Sequence, residues 1–504
     1  MAVFSVLNGT GINGNGIHFG SIGQIATSGF AGDPAITATT IDVCFNDGGL
    51  LHVTGSGLGY NPPSDFTGYV DSLTYSRPGN TPVFSITGFS EALGDLAGLV
   101  TGGNELKILA DLFSENDTIS GSCVADFLIG FCGDDVLNGD NGNDKLRGGA
   151  GADTLNGGNG RDTADYQDSC EAVFVNLARG TARGGDAKGD VLNSIENLTG
   201  SAHNDYLGGD SGANTLIGGA GNDNLAGNGG ADILDGGAGS QDMADYVYSG
   251  AGVKVSLAAH TASGGDAEGD TLTNIEWLRG SYFDDVLTGN GGANFLSGLG
   301  GTDRLDGGAG NDRLVGGAGA DVLIGGAGVD TVLYDNASAG VTVNLANPAV
   351  NTGDAAGDTY SSVENVVGST LNDTLTGNHI ANYLYGWNGA DILNGRGGAD
   401  LLSGGAGADT FVFSSVADTP VGAFDRINDF SRSQGDTIDV SGITGGHGTF
   451  IGTAAFSGTA GEVRILVGIT QTAVYIDANG DGKADAQIRL TGGAVTLTAD
   501  DFVL

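Results

Sequence analysis

What the 504-residue chain has little of already narrows its class. Its four cysteines (Cys44, Cys123, Cys132, Cys170) make no Cys-x-x-Cys and no cysteine–histidine cluster, which argues against structural zinc and against a disulfide framework. Lys and Arg total 18 against 61 Asp and Glu, a net charge of -43, so no nucleic-acid partner is expected, because phosphate would be repelled. No stretch of about 18 apolar residues occurs, and no membrane span is expected. The opening MAVFSVLNGTGINGNG offers neither the basic n-region nor the apolar h-region of a cleaved leader. Proline is nearly absent, with 7 residues, and the glycines follow no three-residue period, which rules out a collagen-like chain.

Glycine is what the chain has in excess, 96 residues, and disorder is the first alternative to weigh. A disordered chain is poor in aliphatics, whereas 39% of these residues are apolar and leucine, isoleucine and valine recur at fixed offsets from the glycines. The string NGDNGNDKLRGGAGADTLNGGNGRD belongs to a series of aspartates nine apart: Asp117, Asp126, Asp135, Asp144, Asp153 and Asp162. An aliphatic stands two residues after most of them, from Ile119 to Leu155. The same phase returns as Asp205, Asn214, Asp223 and Asp232, then as Asp285, Asn294, Asp303, Asp312, Asp321 and Asp330. It returns again as Asp373, Asn382, Asp391, Asp400 and Asp409. One slip is visible at GGAGSQD, where Gln241 holds the expected place and Asp242 follows one residue late.

A period of roughly eighty residues overlies the short one. Three inserts, at about 163–195, 243–275 and 331–363, each carry an alternating run (Val173 to Leu177, Val253 to Leu257, Val341 to Leu345) that reads as a half-buried strand. Counting back nine from Asp205, Asp285 and Asp373 lands on Glu196, Glu276 and Glu364, so the inserts re-enter in phase. The insert pairs Asp186/Asp190, Asp266/Asp270 and Asp354/Asp358 read either as extra calcium or contact sites or, in preference, as turn chemistry.

In the unit G-G-x-G-x-D-x-U-x, glycine permits the positive φ of a tight turn and the last three residues make a strand with U pointing inward. So short a strand needs neighbours, and stacking coils about 5 Å apart buries the U leucines in one continuous core. Stacking also lines up the aspartates. At an effective dielectric of about 20, each unscreened carboxylate pair costs roughly 3 kcal/mol, and several such pairs would exceed a usual total stability of about 5–15 kcal/mol. A cation must therefore sit among them. Calcium suits, because it is hard and takes six to eight oxygens in loose geometry that mixes carboxylates with carbonyls.

These nonapeptides resemble the repeats-in-toxin (haemolysin-type) calcium-binding repeat over about residues 115–415. The resemblance implies an all-β parallel β-roll, two nonapeptides per coil, with multiple Ca²⁺ ions between turns eighteen residues apart, held by the aspartates and turn carbonyls. Asn214, Asn294 and Asn382 depart from the pattern, and a neutral amide there should weaken or remove a site. Residues nine apart fall on opposite edges of such a roll, so Cys123 and Cys132 are expected to be free thiols.

From Phe411 the segment FVFSSVADTPVGAFDRINDFSRSQGDTIDVSGI resembles the part that closes the roll in serralysin-type metalloproteases, with Phe411, Phe413, Phe424, Ile427 and Phe430 as the cap's apolar residues. YIDANGDGKADAQIRL offers Asp477, Asn479, Asp481 and Asp485 as a short EF-hand-like ligand set without the closing glutamate. The final TADDFVL is similar to the uncleaved signal read by type I secretion machinery. The expected organisation is a small β-rich domain at 1–112, the roll at 113–412 and a cap with secretion signal at 413–504. Gly68–Tyr75 and Pro82–Phe89 read as strands of the first part, and Glu91–Val100 as a short helix.

No catalytic residue is expected. There is no His-Glu-x-x-His for a zinc protease and no Gly-x-Ser-x-Gly elbow in the N-terminal part. The carboxylates Asp33, Asp42, Asp47, Asp65 and Asp71 leave open a carbohydrate-active enzyme, though their spacing singles out no pair. GNGIHFGSIGQ with His18 and DSLTYS with Tyr75 faintly resemble secreted haem scavengers and leave open a haem-binding head, against the plainer reading of His18 and His52 as surface or packing residues. The reading that best fits a chain given over to a calcium-dependent rod is a secreted, non-enzymatic structural protein of a Gram-negative cell surface, surface layer or biofilm. Its expected partners are calcium, the secretion machinery, and either further copies of itself or cell-surface polysaccharide.

Overall fold

The computed structural model describes residues 116–121 and 123–504, and before them the backbone of six strands: Val3–Ser5, Ile22–Ala26, Ala38–Phe45, Leu50–Asn61, Asp65–Arg77 and Thr81–Ala92. The runs Gly68–Tyr75 and Pro82–Phe89 lie inside two of these strands. The helix expected at Glu91–Val100 is overtaken at its start by the strand that ends at Ala92, and residues 93–100 lie outside the described residues. His18, Asp33 and Asp47 also lie outside them. The chain divides into two compact units, Met1–Ala244 with Gly269–Ile275, and Asp245–Glu268 with Glu276–Leu504.

In the first unit the eighteen-residue register is explicit. Strand Thr118–Ser120 pairs in parallel with Val136–Asn138, that with Thr154–Asn156, and that with Val191–Asn193. The alternate nonapeptides build a second parallel sheet through Phe127–Cys132, Lys145–Ala150, Thr163–Asp165, Asn197–Thr199, Thr215–Ala220, Ile233–Ala238 and Thr271–Thr273. Successive nonapeptides thus alternate between sheets, as a two-repeat coil requires. Cys123, Cys132 and Cys170 are exposed thiols. At the amino-terminal end Val3–Ser5 pairs in parallel with Thr118–Ser120 and antiparallel with Thr81–Ala92, joining the roll's sheet to an antiparallel meander.

The U positions form the core. Leu137, Leu146, Leu155, Leu198, Leu207, Leu216, Leu225 and Leu234 are all 0% exposed, and Leu287, Leu296, Leu305, Leu314 and Leu323 repeat this in the second unit. Three-residue strands hold because each inward leucine meets its counterparts one coil before and one coil after, as Leu146 meets Leu128 and Ala164. Outward residues make ladders of their own. Asn193 Nδ2 donates to Asn156 Oδ1, and Asn156 Nδ2 to Asn138 Oδ1, each at 2.8 Å.

Inside each insert a strand starts a new parallel column. Phe174–Asn176 folds back on Thr181–Arg183 and pairs in parallel with Tyr206–Gly208. Lys254–Ser256 folds back on Thr261–Ser263 and pairs with Val286–Thr288.

The second unit ends in the cap. Phe411, Phe413, Ile427 and Phe430 are buried as expected, whereas Phe424 is half-buried and carries the guanidiniums of Arg489 and Arg426 on its ring, 4.0 and 5.4 Å from the centroid. Strand Asp425–Ile427 passes the roll's parallel register on to Ala486–Leu490, which then runs antiparallel to Thr472–Asp477 and so to Glu462–Val467. The tail is built into this domain: Thr498 caps the turn Ala499–Asp501, and Phe502–Val503 pairs with Ile438–Asp439.

Candidate calcium ladder

The nonapeptide aspartates are buried at the coil edges and joined along the stack. The amide of Asp117 donates to Asp135 Oδ1 at 2.7 Å, and that of Asp135 to Asp153 Oδ1 at 2.8 Å. On the opposite edge Asp126 N–H reaches Asp144 Oδ1, and Asp144 N–H reaches Asp162 Oδ1, both at 2.8 Å. The second unit repeats this from Asp285 to Asp303 to Asp321, and from Asp312 to Asp330, at 2.8 Å each. It does so again from Asp373 to Asp391 to Asp409, at 2.8 and 2.9 Å.

One oxygen of each carboxylate is thereby committed. The other, Oδ2, is buried without a hydrogen-bond partner in Asp135, Asp144, Asp153, Asp162, Asp223 and Asp232, and in Asp303, Asp312, Asp321, Asp330, Asp391, Asp400 and Asp409. A buried acceptor left unsatisfied costs on the order of 1–3 kcal/mol, and more when charged. So many in register mark a place built for something else.

The glycine five residues before each aspartate shows where that something sits. A Cβ on Gly130 would collide with both Asp135 Oδ2 and the carbonyl oxygen of Gly148 in the next coil; Gly139, Gly218 and Gly298 stand likewise over Asp144, Asp223 and Asp303. Carboxylate and carbonyl oxygens from adjacent coils thus converge on a space that only glycine leaves open. Among the described residues no three Asp, Glu, His or Cys side chains cluster. The donor set is mixed, half backbone, which suits the hard, loosely coordinated Ca²⁺ and not a site assembled from side chains alone.

Electrostatics agrees. Burial, reinforced by the neighbouring aspartates of the column, pushes Asp135, Asp223 and Asp391 up to about 7 and Asp303 to about 8, although a backbone N–H bond pulls each the other way. Burial likewise lifts Asp144, Asp153, Asp312 and Asp409 to about 6, and Asp232 and Asp400 to about 7. A divalent ion between the coils would reverse that logic and hold the carboxylates ionised.

Not every expected ligand has this geometry. Asp205, Asp285 and Asp373 have both oxygens bonded, to the amide and hydroxyl of Ser201, Ser281 and Ser369 and to the amides of Val173, Val253 and Val341. In the asparagine turns the amide takes the bridging position. Asn214 Nδ2 donates to the Glu196 carbonyl at 2.7 Å, Asn294 Nδ2 to Glu276 at 3.0 Å and Asn382 Nδ2 to Glu364 at 2.7 Å. In the cap, Asp477 accepts from Gly480, Asp481 and Gly482 amides and Asp485 from Ala478 and Asn479; Asn479 and Asp481 also turn inward on loop amides.

Several ladder members fall outside the nonapeptide phase. Asp190, Asp270 and Asp358 accept the amides of Asp153, Asp232 and Asp321 at 2.9, 2.8 and 2.9 Å, so these insert residues are rungs and not merely turn formers. Asp242 takes the amide of Asp223 at 2.8 Å, one residue late, as the slip required. Asp425 takes that of Asp400 at 2.8 Å, its Oδ2 is buried and unbonded, and burial lifts it to about 8.

Comparison with known proteins places these features. Residues 124–164, 197–216, 208–240 and 271–305 match the RTX calcium-binding nonapeptide repeat, and residues 296–504 match the Peptidase M10 serralysin C terminal family. A metallopeptidase, AprA, of Pseudomonas marginalis is 47% identical over 135 residues, which is 26% of this chain and 28% of that protein; the match spans little more than a quarter of the relative's length. Two solution structures from the Azotobacter vinelandii mannuronan C5-epimerase are also similar. The AlgE6R3 subunit shows 36% identity over 26% of this chain and 78% of its own, at TM-score 0.19. The AlgE6R2 subunit shows 32% identity over 28% and 92%, at TM-score 0.16. With its stacked parallel coils and paired glycine–aspartate edges, the chain carries repeats-in-toxin calcium-binding nonapeptides that lead into a serralysin-type C-terminal domain.

Proposed function

We propose that this is a secreted protein whose roll folds on calcium outside a Gram-negative cell and serves there as a structural element of the surface or matrix, without catalysis of its own. The observation that carries the calcium step is the row of buried Oδ2 atoms with no partner, of which those of Asp135, Asp144, Asp223, Asp303 and Asp391 share a glycine cradle with a glycine carbonyl of the next coil. With dissociation constants in the extracellular range of about 10⁻⁴–10⁻³ M, each ion at millimolar calcium adds only about 0.4–1.4 kcal/mol. Many linked sites are needed, so folding is steeply cooperative in calcium, and submicromolar cytosolic calcium leaves the roll unfolded and fit for export by type I machinery.

The structural role rests on allocation. Most of the described chain is roll and cap, and among the described residues no helix is long and apolar enough to cross a membrane. The partner this favours is a second copy, with cell-surface polysaccharide as the alternative. Circular dichroism and small-angle scattering with calcium or chelator test the folding step. Light scattering at high concentration tests assembly: a strictly monomeric particle at millimolar calcium removes the self-associating role, and unchanged strand content in chelator removes the calcium step.

A further inference from the structure

The rungs with a spare carboxylate oxygen do not run on through the inserts. In the first unit Asp190 takes the Asp153 amide with one oxygen, but its other oxygen accepts from the hydroxyl of Tyr166 at 3.0 Å, a side chain only 2% exposed. On the opposite edge Glu196 Oε2 takes the Asp162 amide at 2.8 Å, and the Glu196 carbonyl is held by Asn214 Nδ2. The column that starts inside this insert opens on Asp205, closed by Ser201 and Val173.

The second unit repeats the arrangement with different residues. Asp358 lies between the Asp321 amide and the Tyr334 hydroxyl, at 2.9 and 2.6 Å. Glu364 takes the Asp330 amide at 2.9 Å and gives its carbonyl to Asn382, and Asp373 is closed by Ser369 and Val341.

At Asp190, Asp205, Asp358 and Asp373 a donor stands where the open rungs leave an oxygen bare, and at Asn214 and Asn382 the side chain itself presents an NH₂ there. A hydroxyl on the second oxygen occupies one of its acceptor sites and crowds the approach of an ion, and displacing it strands a buried phenol. An amide NH₂ aimed at the turn carbonyl puts partial positive charge where a cation would have to enter. We propose that the inserts at 163–195 and 331–363 are metal-free stop coils, which end one pair of calcium ladders and open the next with the chain's own hydrogen bonds. Within each unit calcium is then confined to short bounded runs, and a rung in one run is not in ionic contact with a rung in the next. This rests on the ladder being the calcium site.

The test is the ion count of the full-length protein in saturating calcium, by native mass spectrometry, with strand content followed by circular dichroism. Asp303→Asn lowers the count by at least one, whereas Asp190→Asn and Asp358→Asn leave it unchanged. A loss in either of the latter, with strand content intact, overturns the stop coils. If Asp303→Asn loses no ion, the ladder reading itself fails. Should the insert variants not fold, anomalous scattering from crystals of the unaltered chain decides: ions beside Asp303 and none at coordination distance, about 2.3–2.6 Å, from Asp190, Asp358, Asn214 or Asn382. An ion at any of those four defeats the proposal.

Discussion

Asp303 and Asp321 share a single bond that fixes both: the amide of Asp303 donates to Asp321 Oδ1 at 2.8 Å, while Oδ2 of each is buried without a partner. The bond sets the spacing of the coils and at the same time turns two bare oxygens toward the gap between them. Geometry that holds the backbone together is therefore also what demands an ion.

Protons should compete with calcium. Asp135, Asp223, Asp303 and Asp391 stand at about 7 to 8 in the metal-free fold against an ordinary 3.8, so between those values the folded chain binds more protons than the unfolded one. Stability of the metal-free roll is then fully present below 3.8 and is lost as pH rises through about 7. In chelator, far-ultraviolet dichroism should show strand content recovering as pH falls from 8 toward 5. With calcium present, the calcium concentration at the folding midpoint should fall over the same descent, while the folded chain holds fewer ions because protons occupy the same oxygens.

Filling a single cradle should be costly where an ion belongs and harmless elsewhere. Gly298 has no positive φ, so Gly298→Ala leaves the backbone unstrained, but its methyl meets Asp303 Oδ2 and the Gly316 carbonyl. The substitution should lower the ion count and raise the calcium midpoint several-fold. Gly229 has nothing within 4 Å, and Gly229→Ala should leave both unchanged, as a calcium titration would record.

Core truncation should act through calcium as well. Leu146 is 0% exposed between Leu128 and Ala164, and Leu146→Ala should cost about 2–5 kcal/mol. Since binding and folding are linked, the loss should appear as a higher calcium requirement as well as a lower melting temperature in calorimetry.

The cap should depend on one loop. Asp477, 0% exposed, gathers the amides of Gly480, Asp481 and Gly482, at 2.8, 3.2 and 2.8 Å. Asp477→Ala should destabilise the cap by about 2–3 kcal/mol. Hydrogen exchange should quicken in Glu462–Leu490 first, with the roll's amides following only at higher temperature.

The roll was legible from residue spacing because its period is written twice, in the aspartates and in the leucines two places on. The slip to Asp242 could be read for the same reason. Asp190 and Asp358 were not legible as rungs, since each reaches its partner across 37 residues and is completed by a tyrosine 24 residues earlier, a pairing that no local pattern announces. Asp425 was hidden likewise by a spacing of 25. The closure of Asp205, Asp285 and Asp373 depends on a serine four residues before each, a signal present in GSAHND, GSYFDD and GSTLND but easily taken for an ordinary turn.

The bonds between nonapeptide aspartates run from an earlier amide to a later carboxylate, as from Asp117 to Asp135 to Asp153 and from Asp285 to Asp303 to Asp321. The residue just before the aspartate bonds the other way, Ala152 N–H to Asp134 Oδ1 and Thr302 N–H to Asp284 Oδ1. Every finished turn thus presents both a donor and an acceptor to whichever neighbour comes next. The stack can therefore grow from its head or from its tail with the same bonds.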